Sequence, residues 1–399
     1  MSSPRPILIV GAGIAGLAAA VGLAKAGFGS RVFERRPAPT EAGAGIQIGP
    51  NGVRALAALG LREAAERVAF RPQGLVMRQG ATGLSLTRLP WGAAAEQRYG
   101  APFLTVLRTE LHSVLLAAAR ASPAIELVTG FEVAAIDAET ISIQSENGRT
   151  ERGAAIIGAD GLWSRLRSAV APAEPVAAGY TAYRAVIARA GLPAPFDAPE
   201  VGLWIGREAH VVHYPVRGGG LLNIVVVVGG GAASRNWDES GAVTEFAPHL
   251  ASWPSGLRGL LEHAPEWRRW TLFDMPDLTR WANGAVALTG DAAHPVLPFL
   301  AQGAVMALED AAALARVVNV HGAPSPQALA AYAAARGPRV RKLAAASRAN
   351  GRTYHLTGAA GAARDLVLRT ASPAWLMGRY DWLYDYRPEA GISRAEPGL

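Results

Sequence analysis

The N-terminal pattern of apolar and polar positions predicts a strand, a helix and a second strand in direct succession. Residues 7–10 form a short apolar run typical of a buried parallel strand, and residues 14–26 have a helical pattern that ends at Gly27. A second strand is predicted at residues 29–33. The chain therefore begins with a βαβ unit.

Further along, strand-like and helical stretches alternate before helix dominates from Gly303 to residue 349. Helices are predicted at residues 51–59, 110–120 and, interrupted by prolines, 243–261. Strands are predicted at residues 74–89, 134–143, 182–188, 201–205, 211–215, 221–228 and 285–289. We therefore expect an α/β fold in which a Rossmann-like domain is interleaved with a mostly antiparallel β-sheet domain, followed by C-terminal helices.

The amino-acid composition excludes several kinds of catalytic and binding site. The chain has no cysteine, which excludes disulfides, thiolate metal sites and cysteine nucleophiles, so redox chemistry requires a bound cofactor and we expect no metal. The net charge of +7 comes from arginine, since Lys25 and Lys342 are the only lysines. The arginines are scattered, so we expect anionic small ligands and not nucleic acid. The apolar stretch at residues 7–24 contains glycines at fixed spacing and leads into a strand, so we expect no membrane span and a cytoplasmic protein.

A glycine fingerprint lies between the first strand and the first helix. Gly11 permits a tight turn, Gly13 lets a pyrophosphate approach the backbone, and Gly16 lets the helix pack on the strand. The complete segment is Gly11, Ala12, Gly13, Ile14, Ala15 and Gly16. Glu34 ends the next strand and can accept hydrogen bonds from ribose hydroxyls, which favours FAD or NAD over NADP. A later glycine turn at residues 229–234 has no apolar helix after it and predicts an exposed turn.

Two further strand ends carry aspartate. Residues 154–157 lead into Asp160 and Gly161, with Arg165 and Arg167 predicted on the helix that follows. Residues 285–289 lead into Gly290 and Asp291, whose carboxylate could accept from a polyol such as ribitol. A helix that starts near Gln302 and Gly303 would direct its positive end at a ring that gains negative charge on reduction.

In this order, the three motifs resemble the group A flavoprotein aromatic hydroxylases, the p-hydroxybenzoate hydroxylase superfamily, over almost the whole chain. The resemblance rests on the fingerprint ending at Glu34 and Arg35, on Arg108 in LRTEL, and on the DG and GD segments. It implies FAD as cofactor. It places Glu34 on the adenosine ribose, Arg108 near the pyrophosphate and ribityl chain, Asp291 on the ribitol, and Gly303 and Ala304 under the isoalloxazine. Asp160 and Pro298 join the implied FAD contacts, as does Gln47 at the flavin edge, although Gln47 could be only a loop residue.

Within the superfamily, residues 210–219, 298–303 and 381–386 look most like salicylate and 3-hydroxybenzoate hydroxylases, and they also resemble 6-hydroxynicotinate monooxygenases. Ala301 departs from the glycine that many relatives carry there. The implied domains are an FAD-binding domain (1–73, 100–178 and 275–350), a substrate domain (74–99 and 179–274) and a C-terminal helical segment (351–399). We expect a monomer or homodimer.

The implied reaction reduces FAD with NADH or NADPH, adds O2 to form a flavin C4a-hydroperoxide, and hydroxylates a small phenolic aromatic substrate. A base with a pKa near the working pH is expected, and His213 is our first choice, followed by Gln302 and Tyr214. His294 is assigned to structure. Arg184 or Arg207 would bind a substrate carboxylate. A flavin oxidase or dehydrogenase on the same fold is the alternative enzyme class, and a non-catalytic flavin-binding protein is the third reading.

Overall fold

The computed structural model describes residues 5–38, 43–236 and 238–389. Within these ranges the strands are, in chain order, β1 (Ile7–Val10), β2 (Ser30–Glu34), β3 (Gly45–Ile48), β4 (Gly74–Gln79), β5 (Ser85–Pro90), β6 (Leu104–Leu107), β7 (Ile125–Thr129), β8 (Val133–Asp137), β9 (Ser142–Ser145), β10 (Thr150–Arg152), β11 (Ala155–Gly158), β12 (Val176–Ala188), β13 (Val201–Gly206), β14 (Ala209–Val216), β15 (Leu221–Gly229), β16 (Glu239–Gly241), β17 (Trp267–Asp274), β18 (Ala282–Asn283) and β19 (Val286–Leu288).

The helices alternate with these strands in the first half of the chain and dominate its end. They are α1 (Ile14–Lys25), α2 (Pro50–Ala58), α3 (Arg62–Val68), α4 (Gly92–Tyr99), α5 (Arg108–Ala121), α6 (Arg167–Val170), α7 (Val243–Phe246), α8 (Ser255–His263), α9 (Gly303–His321), α10 (Pro326–Tyr354), α11 (Gly358–Thr370), α12 (Pro373–Gly378) and α13 (Asp381–Tyr384). Short 3-10 turns precede α9 at Gly290–Ala292 and Pro298–Leu300.

A six-stranded sheet, in the order β18-β19-β11-β1-β2-β7, is built around the first βαβ unit. β1 pairs in parallel with both β2 and β11, and every residue of β1 is buried. Fully apolar strands of this kind are expected in a parallel sheet that is covered on both faces. The carboxyl ends of β1, β2, β11 and β19 therefore meet at one edge, where open α/β sheets bind their ligands.

An eight-stranded sheet, in the order β16-β17-β12-β15-β14-β13-β4-β5, forms the second layer. Its pairs are antiparallel except for β13 with β4. Because side chains alternate between faces, the two faces of this sheet have different compositions. One face buries an apolar core that includes Val211, Ile224 and Leu257 of α8, and we call it the outer face. The other, which we call the inner face, packs against Leu297 and Phe299.

The long C-terminal helices close the structure around a buried set of charges. Asp310 and Glu309 of α9 are fully buried and pair with Arg336 of α10 at N–O distances of 2.7 and 2.9 Å. Arg339 adds a second pair to Glu309 at 2.9 Å and donates to the carbonyl of Trp382 in α13. Two acids are thus balanced by two arginines, as buried charge requires.

The predicted fold class is confirmed, and most of the predicted helices and strands are present with small shifts at their ends. The predicted strands at residues 74–89 and 134–143 are each two antiparallel strands, β4 with β5 and β8 with β9, and the predicted helix at residues 243–261 is divided into α7 and α8. The stretch after β15 continues to strand β16, so it is a turn and no second nucleotide site. One placement was wrong, because α6 begins at Arg167 and Arg165 lies before it. Among the described residues, no helix combines the length and apolar character needed to cross a bilayer.

Candidate active site

The fingerprint turn leaves no room for side chains. Gly11 has φ +107°, and a Cβ there would lie 2.3 Å from the carbonyl oxygen of Ala159. A Cβ on Gly16 would lie 1.8 Å from the carbonyl oxygen of Gly11. Only glycine permits this backbone approach, which exposes N–H groups at the start of α1 as an anion cradle.

Glu34 lies directly beside this turn. Its carboxylate accepts from the backbone N–H of Ala12 at 3.1 Å and of Arg36 at 3.0 Å. His112 of α5 supports the same turn, because its Nε2 lies 2.8 Å from the carbonyl oxygen of Ala12. Arg35 next to Glu34 is exposed. The glycine turn and the carboxylate of Glu34 therefore lie at the same edge of the parallel sheet, as a site for a pyrophosphate and its ribose requires.

The DG and GD turns lie at the same edge and are tied together by Arg167. Its Nε donates to the carbonyl of Ala292 at 2.9 Å and its Nη2 to the carbonyl of Asp291 at 3.1 Å. Asp160 accepts from the N–H of Arg165 at 2.8 Å and so organises its own turn, and burial raises its pKa. The side chain of Asp291 is exposed and makes no hydrogen bond to the described residues, which leaves it free to bind ligand hydroxyls.

His294 and Asp310 hold the GD turn from below. The Nε2 of His294 lies 2.5 Å from Asp310 Oδ2, which also accepts from the N–H of Gly290 at 3.0 Å. Burial alone would raise the pKa of Asp310, but its interactions with His294 and Arg336 outweigh burial and lower that pKa. This arrangement agrees with the structural role predicted for His294.

The turn that leads into α9 exposes backbone where a planar ring could lie. Ala301 has φ +53°, the left-handed conformation that favours glycine. A Cβ on Gly303 would meet only Val296, at 3.9 Å. Pro298 is exposed, and Ala304 is half-buried. These residues, together with the unpaired Asp291 and the glycine cradle, fit the shape and chemistry of FAD.

Strand β3 and the start of α5 border the same region. Gln47 of β3 is half-buried, and the neighbouring Gly45 donates its N–H to Asn223 Oδ1 at 2.7 Å. A Cβ on Gly45 would lie 2.6 Å from the ring of Tyr214, so β3 lies against the inner face of the large sheet. Arg108, the first residue of α5, donates its N–H to the carbonyl of Ala44. Gln47, Arg108 and Tyr214 are thus brought to one border.

The inner face of the sheet carries polar groups in an aromatic surrounding. His210 and Tyr214 are both buried in β14 and, four positions apart, face the same side. The Nδ1 of His210 lies 3.1 Å from Nε2 of His355, at the end of α10. Burial lowers the pKa of His210 to about 3 and that of His355 to about 4, so both rings are neutral at pH 7. The ring of Phe299, three residues before Gln302, lies 5.5 Å from His210 between centroids.

A cation lies on the same face. Arg184 of β12 stacks on Trp270 with its Cζ 3.2 Å from the ring centroid. Burial lowers the pKa of Arg184 to about 9, and among the described residues no carboxylate lies within ion-pair distance of its guanidinium. Arg207, the alternative left open by the sequence, lies in a surface turn with its side chain 79% exposed. The structure therefore brings Arg184, and not Arg207, to the inner face.

The predicted first choice, His213, is on the wrong face. Its ring packs 5.1 Å from Phe196, within the outer core, and covers Gly202. Neither ring nitrogen has a hydrogen-bond partner, and burial lowers its pKa to about 3. Adjacent residues of a strand point to opposite faces, so His213 and Tyr214 cannot share one site. His210 is the residue that the sequence reasoning missed, and its spacing from Tyr214 was the signal.

Gln302 occupies the position immediately before α9 and is almost completely buried. Its Oε1 accepts from Asn51 Nδ2 of α2 at 2.9 Å. The same Asn51 nitrogen donates to Glu309 Oε1 at 2.8 Å. Asn51 was not predicted, because an asparagine inside a predicted helix carries no signal of a contact 251 positions away.

Comparison with known proteins agrees with this geometry. Residues 5–347 match the FAD binding domain family. The chain is 33% identical over 387 residues to a 3-hydroxybenzoate 6-hydroxylase of Polaromonas naphthalenivorans (strain CJ2), covering 96% of each chain. It is 35% identical over 393 residues to the 3-amino-4-hydroxybenzoate 2-monooxygenase PtnB3 of Streptomyces platensis, covering 97% of each. An HpxO variant of Klebsiella pneumoniae, solved with FAD, superposes with a TM-score of 0.85 at 26% identity, covering 96% of this chain and 99% of that one.

The chain therefore belongs to the FAD binding domain family and is an FAD-dependent monooxygenase. The predicted resemblance and the predicted cofactor, FAD, are confirmed.

Proposed function

We propose that the protein hydroxylates a phenolic aromatic acid of the 3-hydroxybenzoate or salicylate type, with electrons from NADH or NADPH and with O2. The observation that carries the proposal is the inner face of the sheet, where an unpaired arginine, a histidine and a tyrosine lie on one side. These groups match a carboxylate, a phenol and an aromatic ring. The relatives named for hydroxybenzoates support the same substrate class.

Arg184 binds the substrate carboxylate in this proposal. The half-buried guanidinium of Arg184 has lost part of its hydration without gaining an acid partner, and an incoming carboxylate offsets that cost with paired hydrogen bonds. Trp270 holds the guanidinium plane from one side, which leaves its edge for the ligand. Arg184 therefore selects acids over neutral phenols.

His210 accepts the phenolic proton on Nε2. Its low pKa means that it cannot hold a second proton for long, so its Nδ1 proton passes to Nε2 of His355 in the same event. His355 is half-buried at the end of α10, and its Nδ1 is buried without a hydrogen-bond partner, so the transfer ends on this ring. The two imidazoles, neutral before the transfer, can thus move the proton from the phenolic oxygen as far as His355.

FAD, when bound, supplies the reduction and oxygen-transfer chemistry. The glycine turn at Gly11, Glu34 and Asp291 would hold its pyrophosphate, ribose and ribityl chain, with Arg108 near the pyrophosphate and ribityl chain. Gln47, Pro298, Gly303 and Ala304 would lie near the ring system. Leu297 and Phe299 are buried beside the site and would exclude water, which hydroxylation requires.

The test is oxidation of NADH and NADPH by the purified yellow protein, with and without 3-hydroxybenzoate, salicylate and 6-hydroxynicotinate. The proposal expects substrate-stimulated oxidation, little hydrogen peroxide and a product one oxygen heavier. Stimulation only by 6-hydroxynicotinate would move the substrate to a heteroaromatic acid. Reduction without any hydroxylated product would refute the hydroxylase and favour an oxidase or dehydrogenase on the same fold.

A further inference from the structure

Asn51 lies at the junction between the candidate site and the buried charges behind it. It is the second residue of α2, has no exposed surface, and uses one nitrogen to reach both Gln302 Oε1, at 2.9 Å, and Glu309 Oε1, at 2.8 Å. Both hydrogens of its amide nitrogen are thereby used. The two bonds make Asn51 the link between Gln302 and the charge cluster of α9 and α10.

The charges around Glu309 fix the direction of these bonds. Glu309 lies between Arg336 and Arg339, each at an N–O distance of 2.9 Å, and a carboxylate paired with two arginines only accepts hydrogen bonds. Asn51 must therefore turn its nitrogen toward Glu309, and Gln302 must turn its oxygen toward that nitrogen. The oxygen of Asn51 is left buried without a hydrogen-bond partner.

The result is a Gln302 amide that can only donate toward the site. Its Nε2 donates to none of the described residues and keeps accessible surface. The neighbouring groups Asp310 and His294 are bonded to each other, and Asp310 also accepts from Arg336. Neither of them therefore forms a hydrogen bond with Gln302.

We propose that Asn51 is a positioning residue that holds the Gln302 N–H toward the phenolic oxygen of the substrate. This inference rests on the proposed function. A donor at the phenolic oxygen stabilises the phenolate and lowers the pKa of the bound phenol, whereas a carbonyl oxygen in its place would stabilise the neutral phenol. The orientation of one amide therefore decides whether the ring is activated.

Asn51→Asp tests the orientation with an isosteric side chain. An ionised Asp only accepts, and a protonated Asp gives its single hydrogen to the charged Glu309, so in either state Gln302 must flip its amide. We expect the pKa of 3-hydroxybenzoate bound to the oxidised holoenzyme, read from its phenolate absorbance, to rise by about one unit or more. We expect kcat to fall roughly ten- to a hundredfold with little change in KM.

Asn319→Asp is the matched control, since it makes the same substitution at an exposed position of α9. It should leave the ligand pKa, kcat and FAD content unchanged. Should Asn51→Asp fail to retain FAD, Asn51→Ser serves, because a hydroxyl has one hydrogen and cannot supply both Glu309 and Gln302. In a Gln302→Leu background, Asn51→Ser should cause no further rise in the ligand pKa.

The outcomes separate the inference from the proposed function. A normal ligand pKa and kcat in both Asn51 variants, with a defect in Gln302→Leu, would overturn the inference and leave the hydroxylase intact. Full activity in Gln302→Leu would overturn the donor role itself. Absence of hydroxylated product from the unmodified enzyme would instead refute the proposed function.

Discussion

The two faces of the eight-stranded sheet carry histidines three positions apart in β14. The two histidines are equally buried, but their neighbours differ. His210 and His213 are each 3% exposed, and burial lowers the pKa of each to about 3. On the inner face, His210 bonds to His355 and shares its side with Arg184 and Tyr214. On the outer face, both nitrogens of His213 lack partners in an apolar core. A buried histidine with a perturbed pKa thus marks a site only when its neighbours have matching chemistry.

Replacing each histidine by asparagine gives the sharpest form of this comparison. His210→Asn should lower kcat for hydroxylation about 10²- to 10⁴-fold, because it removes the proton acceptor. His213→Asn should retain kcat close to that of the unmodified enzyme. The measurement is formation of hydroxylated product per NAD(P)H oxidised at equal FAD content. Comparable losses in both variants, or a loss in His213→Asn alone, would contradict the assignment of the faces.

Arg184 extends the comparison from the two histidines to the two candidate arginines. Arg184→Met keeps a side chain on Trp270 but removes the charge, and it should raise KM for the aromatic acid about 10- to 100-fold, the cost of a charged hydrogen bond. Arg207→Met, at the exposed turn, should not change KM. KM for the corresponding phenol without a carboxylate should be the same in both variants. A rise in KM for that neutral phenol in Arg184→Met would show that Arg184 does not act by binding the carboxylate.

The fold could be predicted because its signals are local. Apolar strands such as β1, the glycine turn at Gly11 and the acid at the end of β2 each follow from a short stretch of sequence, and motif order supplied the family. The alternation of side chains along a strand also predicts which face His210 lies on. Choosing both His213 and Tyr214 as site residues was inconsistent with this alternation, because adjacent residues of one strand point to opposite faces. The histidine that shares a face with Tyr214 is His210, four positions away.

The remaining site residues depend on contacts between distant parts of the chain. His355 reaches His210 from 145 positions away, and Asn51 reaches Gln302 from 251. Neither residue has a local pattern that distinguishes it from an ordinary helix residue. Arg184 was found as one of two candidates because a strand pattern gives its face, while only the contact with Trp270 shows where its guanidinium lies.

His355 tests whether the inner face moves the proton away as well as accepting it. His355→Asn should lower kcat about tenfold with KM unchanged, since His210 would then have to hold the proton alone. Added imidazole should restore part of the rate, which a purely structural role would not allow. His321→Asn, at the exposed end of α9, is the control. An unchanged kcat would show that the proton leaves His210 by another route.

His213 offers the smallest effect and tests the outer face alone. His213→Leu replaces two unpaired buried nitrogens by an apolar group of similar size, so the free energy of unfolding at pH 7 should rise by about 1 kcal/mol. The unfolded histidine titrates near 6.5 and the folded one at about 3, so acid protonates the unfolded chain first and lowers the stability of the unmodified protein. The advantage of the leucine variant should therefore grow as pH falls below about 6.5, by up to about 1.4 kcal/mol per unit. Urea unfolding of the FAD-loaded proteins at several pH values measures it. A constant difference between the two proteins would mean that His213 takes up a proton in the folded state as readily as in the unfolded chain, and that the outer face is not the apolar environment described above.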